Sequence, residues 1–265
     1  MASAGPGRGK SAAADWPGEI EPLAPPQRAW TAAGGTASLL HALSSKLKLL
    51  AVLATRLGYE AAEPSPRVCA VAGYLGSREQ WANFAPRWEK AVTEAGVREF
   101  RREDLERGGG EFSGWGEEKR SQFLARLMAI IHESQLEALT SGLALEEFEA
   151  LSPADKVSLT CGRPADPHVL CFNHCLVEAA RRAASHPREE KVGIVFDWND
   201  AIGSAALWHM EELKTLTSEA IRERLGALGF ESRLEFPGLQ AADLLVFDCF
   251  QRAGSDYQQR YRNVQ

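Results

Sequence analysis

The 265 residues carry 30 lysines and arginines against 36 aspartates and glutamates, a formal net charge of −6. That mildly acidic balance excludes a global basic field pulling the chain onto nucleic acid, so any such binding must come from a local patch. The apolar share of 45% and charged share of 25% are those of an ordinary globular protein, and the length suits one large domain or a domain with an appendage. Five cysteines, odd in number and irregularly spaced, read as reduced thiols and point to a cytoplasmic location. The sequence predicts neither a secretory signal nor a membrane span: the most apolar early stretch, 38–58, is interrupted by His41, Lys46, Lys48 and Arg56.

Residues 1–37 are rich in Ala, Gly and Pro and are expected to form a loosely packed N-terminal segment, with 38–265 a single α/β domain. Leu39, Leu40, Leu43 and Leu47 have helical spacing, and the apolar run 49–54 either continues that helix or forms a buried strand. A strand is predicted over 68–72, ended by Gly73-Tyr74-Leu75-Gly76. Ser77 and Gln80 then form a capping box ahead of Trp81, Phe84, Trp88 and Val92, which share one helical face; these aromatics read as core. Gly96 stops that helix. The stretch 98–106 interleaves Arg98, Arg101 and Arg102 with Glu99, Glu103 and Asp104 and reads as a solvated face, and Gly108-Gly109-Gly110 reads as a loop.

The longest helix is predicted over 117–137, with Phe123, Leu127, Ile130 and Ile131 inward. A short strand is expected within 139–148, a loop at 162–167 and a helix over 169–184. Val192-Gly193-Ile194-Val195-Phe196 has the continuous apolar character of a strand buried on both faces. A helix over 205–215, a strand over 232–236 and a helix opened by Pro237-Gly238 follow, and Arg252, Tyr257, Arg260, Tyr261 and Arg262 make a basic-aromatic tail. Strands alternating with helices indicate an α/β fold.

Two acidic residues carry the candidate site. Asp243 shares a helix face with Leu239, Val246, Phe247 and Phe250, so a carboxylate sits inside an apolar stripe. A charge there costs several kcal/mol unless a metal ion, a basic partner or protonation neutralises it, roughly as for other buried ions. Asp248, on the same helix, points away and is expected to be solvated. Asp197 ends the buried strand at its carboxyl end, where sites in α/β sheets collect; its alternative job is a helix or turn cap. Asp200 reads as the cap of a helix beginning near Ala201, with ligation the alternative. Together Asp197, Asp200 and Asp243 offer hard oxygen donors of the kind that suit Mg²⁺ or Mn²⁺. His168, Cys171, His174 and Cys175 lie at helical spacing but lack the second pair that zinc needs, so they read as core. The glycine run lacks the Lys-Ser/Thr of a phosphate loop.

From about residue 68 to 257 the chain resembles the bacterial "domain of unknown function 3800" family. The resemblance is carried by Val71-Ala72-Gly73-Tyr74-Leu75-Gly76 with Trp81, Phe84 and Trp88, by Glu111-Phe112-Ser113-Gly114-Trp115 ahead of Glu118-Lys119-Arg120, by 192–197, and by Gly238-Leu239-Gln240-Ala241-Ala242-Asp243-Leu244-Leu245. It implies a ribonuclease H-like α/β fold, a mixed β-sheet flanked by helices with helical insertions. Acids from a first strand, a later strand and the final helix would meet there at a divalent-metal site, with Asp197 and Asp243 as the second and third and Gln240 in support. Metal-dependent nuclease chemistry is the implied activity and nucleic acid the implied partner.

The departures fall on the first acid. The family's Asp-Glu-Ser-Gly or Asp-Ala-Ser-Gly strand end corresponds to Thr55-Arg56-Leu57-Gly58, which puts Thr55 in the first aspartate's place and Arg56 beside the site. The nearest acid is Glu60, and a histidine expected after Phe100 is Arg101. An arginine can stand in for a metal by pairing with Asp197 or Asp243. Three readings follow: a ribonuclease H-like protein with a degenerate acidic site; an active Mg²⁺- or Mn²⁺-dependent nuclease in which Glu60, Asp200 or Asp104 supplies the missing ligand; and a non-catalytic interaction protein.

Overall fold

The computed structural model describes residues 49–57, 68–159, 166–185, 191–197, 210–211, 213–215 and 217–262, with the side chains of 50, 55–57, 158 and 255–262 outside that description. The expected segment 1–37, the helix at 39–47, most of the loop at 162–167, Glu60, Asp200 and most of the helix at 205–215 lie outside the described residues; 210–211 and 213–215 are helical, as expected. Among the described residues five strands form one sheet in the order β3-β2-β1-β4-β5: β1 Leu49–Leu57, β2 Val68–Ser77, β3 Glu137–Ala144, β4 Val192–Asp197 and β5 Leu225–Glu231. β1, β2 and β3 are antiparallel neighbours, whereas β4 runs parallel to β1 and β5 parallel to β4. The helices are α1 Arg78–Glu94, α2 Arg102–Arg107, α3 Glu117–Glu133, α4 Leu145–Ala150, α5 Pro153–Leu159, α6 Pro167–Ser185, α7 Glu219–Arg222 and α8 Pro237–Arg262. The fold is α/β with a mixed sheet flanked by helices, the class expected from the sequence.

The period-2 alternation of the central strands divides the core into two layers. Val52 and Ala54 of β1, Ala70, Ala72 and Tyr74 of β2 and Val195 of β4 pack with α1, α3 and α8. Ala51 and Leu53 of β1, Cys69, Val71 and Leu75 of β2 and Ile194 and Phe196 of β4 pack with α6. The continuous apolar run at 192–196 is therefore what a strand covered on both faces requires.

The capping box is formed as expected. Ser77 Oγ accepts from Gln80 N at 3.2 Å and Gln80 Oε1 accepts from Ser77 N at 2.7 Å, which fixes the start of α1. Trp81, Phe84 and Trp88 are buried in a chain of tilted and edge-to-face ring contacts extending through Phe100 to Phe112 and Phe123. Phe123, Leu127, Ile130 and Ile131 are the buried face of α3. Cys171 and Cys175 are buried on α6 against β2, the core role expected for them.

Several boundaries differ from expectation. Gly73 and Gly76 do not end β2, which runs to Ser77. Gly73 pairs with Leu53, and a Cβ there would stand 1.8 Å from the Val52 carbonyl oxygen, so the glycine permits close strand approach rather than a turn. Among the described residues the longest helix is α8, at 26 residues, not 117–137. The expected basic-aromatic tail is the continuation of α8 to Arg262. The strand β3 begins at Glu137, and 145–150 is helical. The predicted strand at 232–236 is a turn in which Ser232 O accepts from both Glu235 N and Phe236 N, and the strand itself lies earlier, at β5. The charge-dense stretch 98–106 is not simply a solvated face: Phe100 and Leu105 are fully buried within it.

Candidate acidic site

Asp197 ends β4, two residues after Val195, and so lies on the face that α8 covers. Asp243 lies in α8, whose start is held close to the sheet. A Cβ at Gly238 would meet Phe236, Trp81 and Val52 side-chain atoms at 2.9, 3.0 and 3.3 Å, so glycine at the second position of the Pro-Gly pair lets the helix seat on β1 and α1. Leu239, Val246 and Phe247 are buried, as the helix period requires, and Asp243 emerges at the edge of that stripe with its side chain 14% exposed. The two sequence-predicted acids thus meet at the carboxyl end of β4.

Asp243 is neutralised by a basic partner. Arg233, in the turn between β5 and α8, places its Nε 2.9 Å from Asp197 Oδ2 and its Nη1 2.9 Å from Asp243 Oδ1. One guanidinium therefore bridges both carboxylates, with side-chain exposures of 26% for Arg233 and 15% for Asp197. The other oxygen of Asp243 accepts the backbone N–H of Arg102 at 2.9 Å. The planar fork of arginine suits this double contact, and the charge assistance strengthens both bonds.

Gln240 is buried and organises the surroundings. Its Oε1 accepts from Trp88 Nε1 at 3.0 Å and from Phe100 N at 3.2 Å, and its Nε2 donates to Arg233 O at 2.8 Å. It thereby ties α8 to α1, to the segment that delivers the Arg102 N–H, and to the turn that delivers Arg233. The supporting place given to Gln240 from the sequence acquires a physical content.

Further charges border the pair. Arg101 Nε donates to Glu99 Oε1 at 3.1 Å. That bond and the Glu99 charge hold the Arg101 guanidinium above its ordinary pKa, with Asp104 and Asp243 contributing. Burial pushes the Asp197 carboxyl up; Arg233 opposes this, and the charges of Asp243 and Glu99 reinforce it. Asp248 is exposed, as expected; its Oδ1 lies 3.4 Å from Arg102 Nε, and partial desolvation pushes its carboxyl up.

The first acid is absent from the strand position that faces this pair. Leu53 pairs with Phe196, so Ala54 is the β1 residue one step beyond, as Asp197 is on β4. Ala54 is buried in the α8-side layer with Val52. The resemblance puts the first acid's place at Thr55; the residue on this face beside Asp197 is Ala54, a methyl group. Thr55 and Arg56 belong to β1 by backbone, paired with Val71 and Ala70, and their side chains are outside the described residues. Among the described residues, Arg233 supplies a counter-ion of the kind expected of Arg56.

The described residues hold no group of three or more His, Cys, Asp or Glu arranged for a metal ion, and this covers the His168–Cys175 stretch as well as the acidic pair. With a guanidinium against both carboxylates, the donors among the described residues do not fit a divalent cation. Sequence reasoning missed Arg233, Glu99 and the Arg102 N–H. The available signal for Arg233 was Asp243's need for a counter-charge, with a lone arginine ten residues upstream.

No protein-family model matches the chain, and no curated protein matches it. Among solved structures, the crystal structure of Bst-RNase HIII in complex with Mn²⁺ is similar at 15% identity and a TM-score of 0.40, over 82% of this chain. The chain spans 57% of that protein's length. No helix among the described residues is long and apolar enough to cross a membrane.

Proposed function

We propose that this chain is a ribonuclease H-like protein, related to the bacterial "domain of unknown function 3800" family, whose acidic site is degenerate. It does not cleave phosphodiesters with a divalent metal, and it keeps a nucleic-acid-related binding role. The observation that carries the reading is the pairing of Asp197 and Asp243 beside Ala54. Among the described residues two acids converge where the resemblance calls for three, and the β1 position beside them contributes a buried methyl group. Metal-assisted hydrolysis needs ligands that fix the ion and leave room for water and the leaving oxygen; the described donors provide two carboxylates already engaged by Arg233.

The test incubates the purified chain with labelled single-stranded and duplex DNA, RNA and an RNA–DNA hybrid in Mg²⁺ or Mn²⁺. The expected result is no cleavage above that of Asp243→Ala, together with salt-sensitive retention of at least one of these nucleic acids. Metal-dependent cleavage that disappears in Asp243→Ala overturns the reading. Failure to retain any of them removes the binding role.

A further inference from the structure

Helices α1 and α3 carry a second charge arrangement. Arg87 of α1 pairs with Glu133 of α3, and Arg126 of α3 pairs with Glu94 of α1 at 2.5 Å. On each helix the two paired residues stand about two turns apart, so the helices run antiparallel and the ion pairs cross-link them at either end of one groove. Between these two rungs lies a cavity of about 320 Å³, lined by Arg87, Lys90, Arg126, Ala129, Ile130 and Glu133. Small-molecule sites span roughly 300–1,000 Å³.

The middle of the groove lacks an acid. Lys90 stands between the rungs on α1, and the α3 residues at its level are Ala129 and the buried Ile130. Among the described residues its one ion pair is with Glu94 on its own helix, at 3.8 Å, and Glu94 is already bonded to Arg126. The lining therefore holds three cations against the single acid Glu133. Arg87 and Arg126 each meet their glutamate through Nη2, and the planar fork of each carries further N–H donors.

We propose that this cavity is a binding site for a phosphate group, with Lys90 supplying the charge that no acid across the groove balances and Arg87 and Arg126 flanking it. A phosphate ester offers several acceptor oxygens and up to two charges, which suits an ammonium between two guanidiniums. Ala129 and Ile130 give the cavity an apolar wall for the group that the phosphate carries. The side chain of Lys90 is 72% exposed, so binding weakens as salt rises. The phosphate belongs either to a free ester or to a nucleic-acid backbone. The site shares no residue with the acidic pair and stands whether or not the degenerate-site reading holds.

The test uses the full chain at low ionic strength, with two probes. Adenosine monophosphate is followed by broadening of its phosphorus NMR line, and a fluorescein-labelled single-stranded DNA by anisotropy. Lys90 is exposed, so its variants are expected to fold as wild type does, which circular dichroism checks. Lys90→Gln is expected to weaken binding about tenfold, the worth of one charged hydrogen bond, and Lys90→Glu to abolish it. Lys90→Arg keeps the charge and should stay within about threefold of wild type. Arg98→Gln makes the same change in net charge as Lys90→Gln at a side chain that is 88% exposed and does not line the groove, and should leave binding unchanged. Binding of adenosine monophosphate through Lys90 without binding of DNA makes a free ester the ligand and removes the nucleic-acid role. DNA binding that Lys90→Glu abolishes makes the backbone the ligand. The proposal is overturned if wild type binds neither probe, or if Arg98→Gln weakens binding as much as Lys90→Gln. DNA bound equally by wild type and Lys90→Glu, with no adenosine monophosphate binding, also overturns it, and leaves the nucleic-acid role standing.

Discussion

Replacing Gln240 by leucine keeps the size of the side chain and removes its three hydrogen bonds. The donors Trp88 Nε1 and Phe100 N are buried and lose their acceptor, and the part-buried Arg233 carbonyl loses its donor. An unsatisfied buried polar group costs about 1–3 kcal/mol. The two buried donors dominate, and the apolar gain of leucine returns about 1 kcal/mol. The net loss is expected to be about 1–5 kcal/mol, set against the roughly 5–15 kcal/mol of a typical domain. Urea unfolding followed by tryptophan fluorescence measures it, with the exposed Gln122→Leu on α3 as a control expected to stay within about 0.5 kcal/mol of wild type. The Gln240→Leu midpoint should fall with an unchanged denaturant slope. A loss below about 1 kcal/mol would mean that water replaces these bonds and that Gln240 does not organise the site.

Other substitutions probe other parts of the argument. Asp243→Ala leaves Arg233 with one partner and the Arg102 N–H without its acceptor; the expected loss is about 2–4 kcal/mol, somewhat under a fully buried pair because Arg233 keeps partial exposure. Denaturant melts showing no loss would mean the bridge contributes nothing. Gly73→Ala drives a Cβ into the Val52 carbonyl and should prevent stable pairing of β1 with β2, whereas Gly109→Ala meets no atom within 4 Å and should be tolerated, both readable as soluble yield and melting temperature. Asp197 supplies a pH test. Its carboxyl is raised above the ordinary 3.8 in the folded chain, so between the two values the native state holds the proton more tightly than the unfolded state. Stability relative to Asp197→Asn should therefore fall as pH rises from the ordinary aspartate value through the raised one, and stay low above it. A difference that grows with pH would show the Arg233 attraction outweighing burial.

Much of the architecture was legible because it rests on local periodicity. The run at 192–196 has no polar break, which only a strand covered on both faces can bury, and its end at Asp197 fell where expected. The capping box at Ser77 and Gln80 and the face of Trp81, Phe84 and Trp88 are short-range signals that tertiary packing kept. Strand β5 escaped notice because Leu225-Gly226-Ala227-Leu228-Gly229-Phe230-Glu231 holds two glycines and lies at the sheet's end, half-buried, so its alternation is weak. The neighbouring 232–236 alternates by chance, as Leu234 is exposed and Ser232 folds the segment into a turn. Asp243's need for neutralisation followed from its helix face, but its partner did not, because the Arg233 contact depends on how a turn enters α8. Strand register likewise decides which β1 residue stands beside Asp197, and that residue is Ala54.

The account turns on what lies between Asp197 and Asp243. Crystals grown in millimolar Mn²⁺ and measured at the manganese absorption edge would test this directly. The predicted result is guanidinium density from Arg233 joining the two carboxylates, with no anomalous peak between them. An anomalous peak bridging Asp197 and Asp243, with Arg233 turned away, would contradict it.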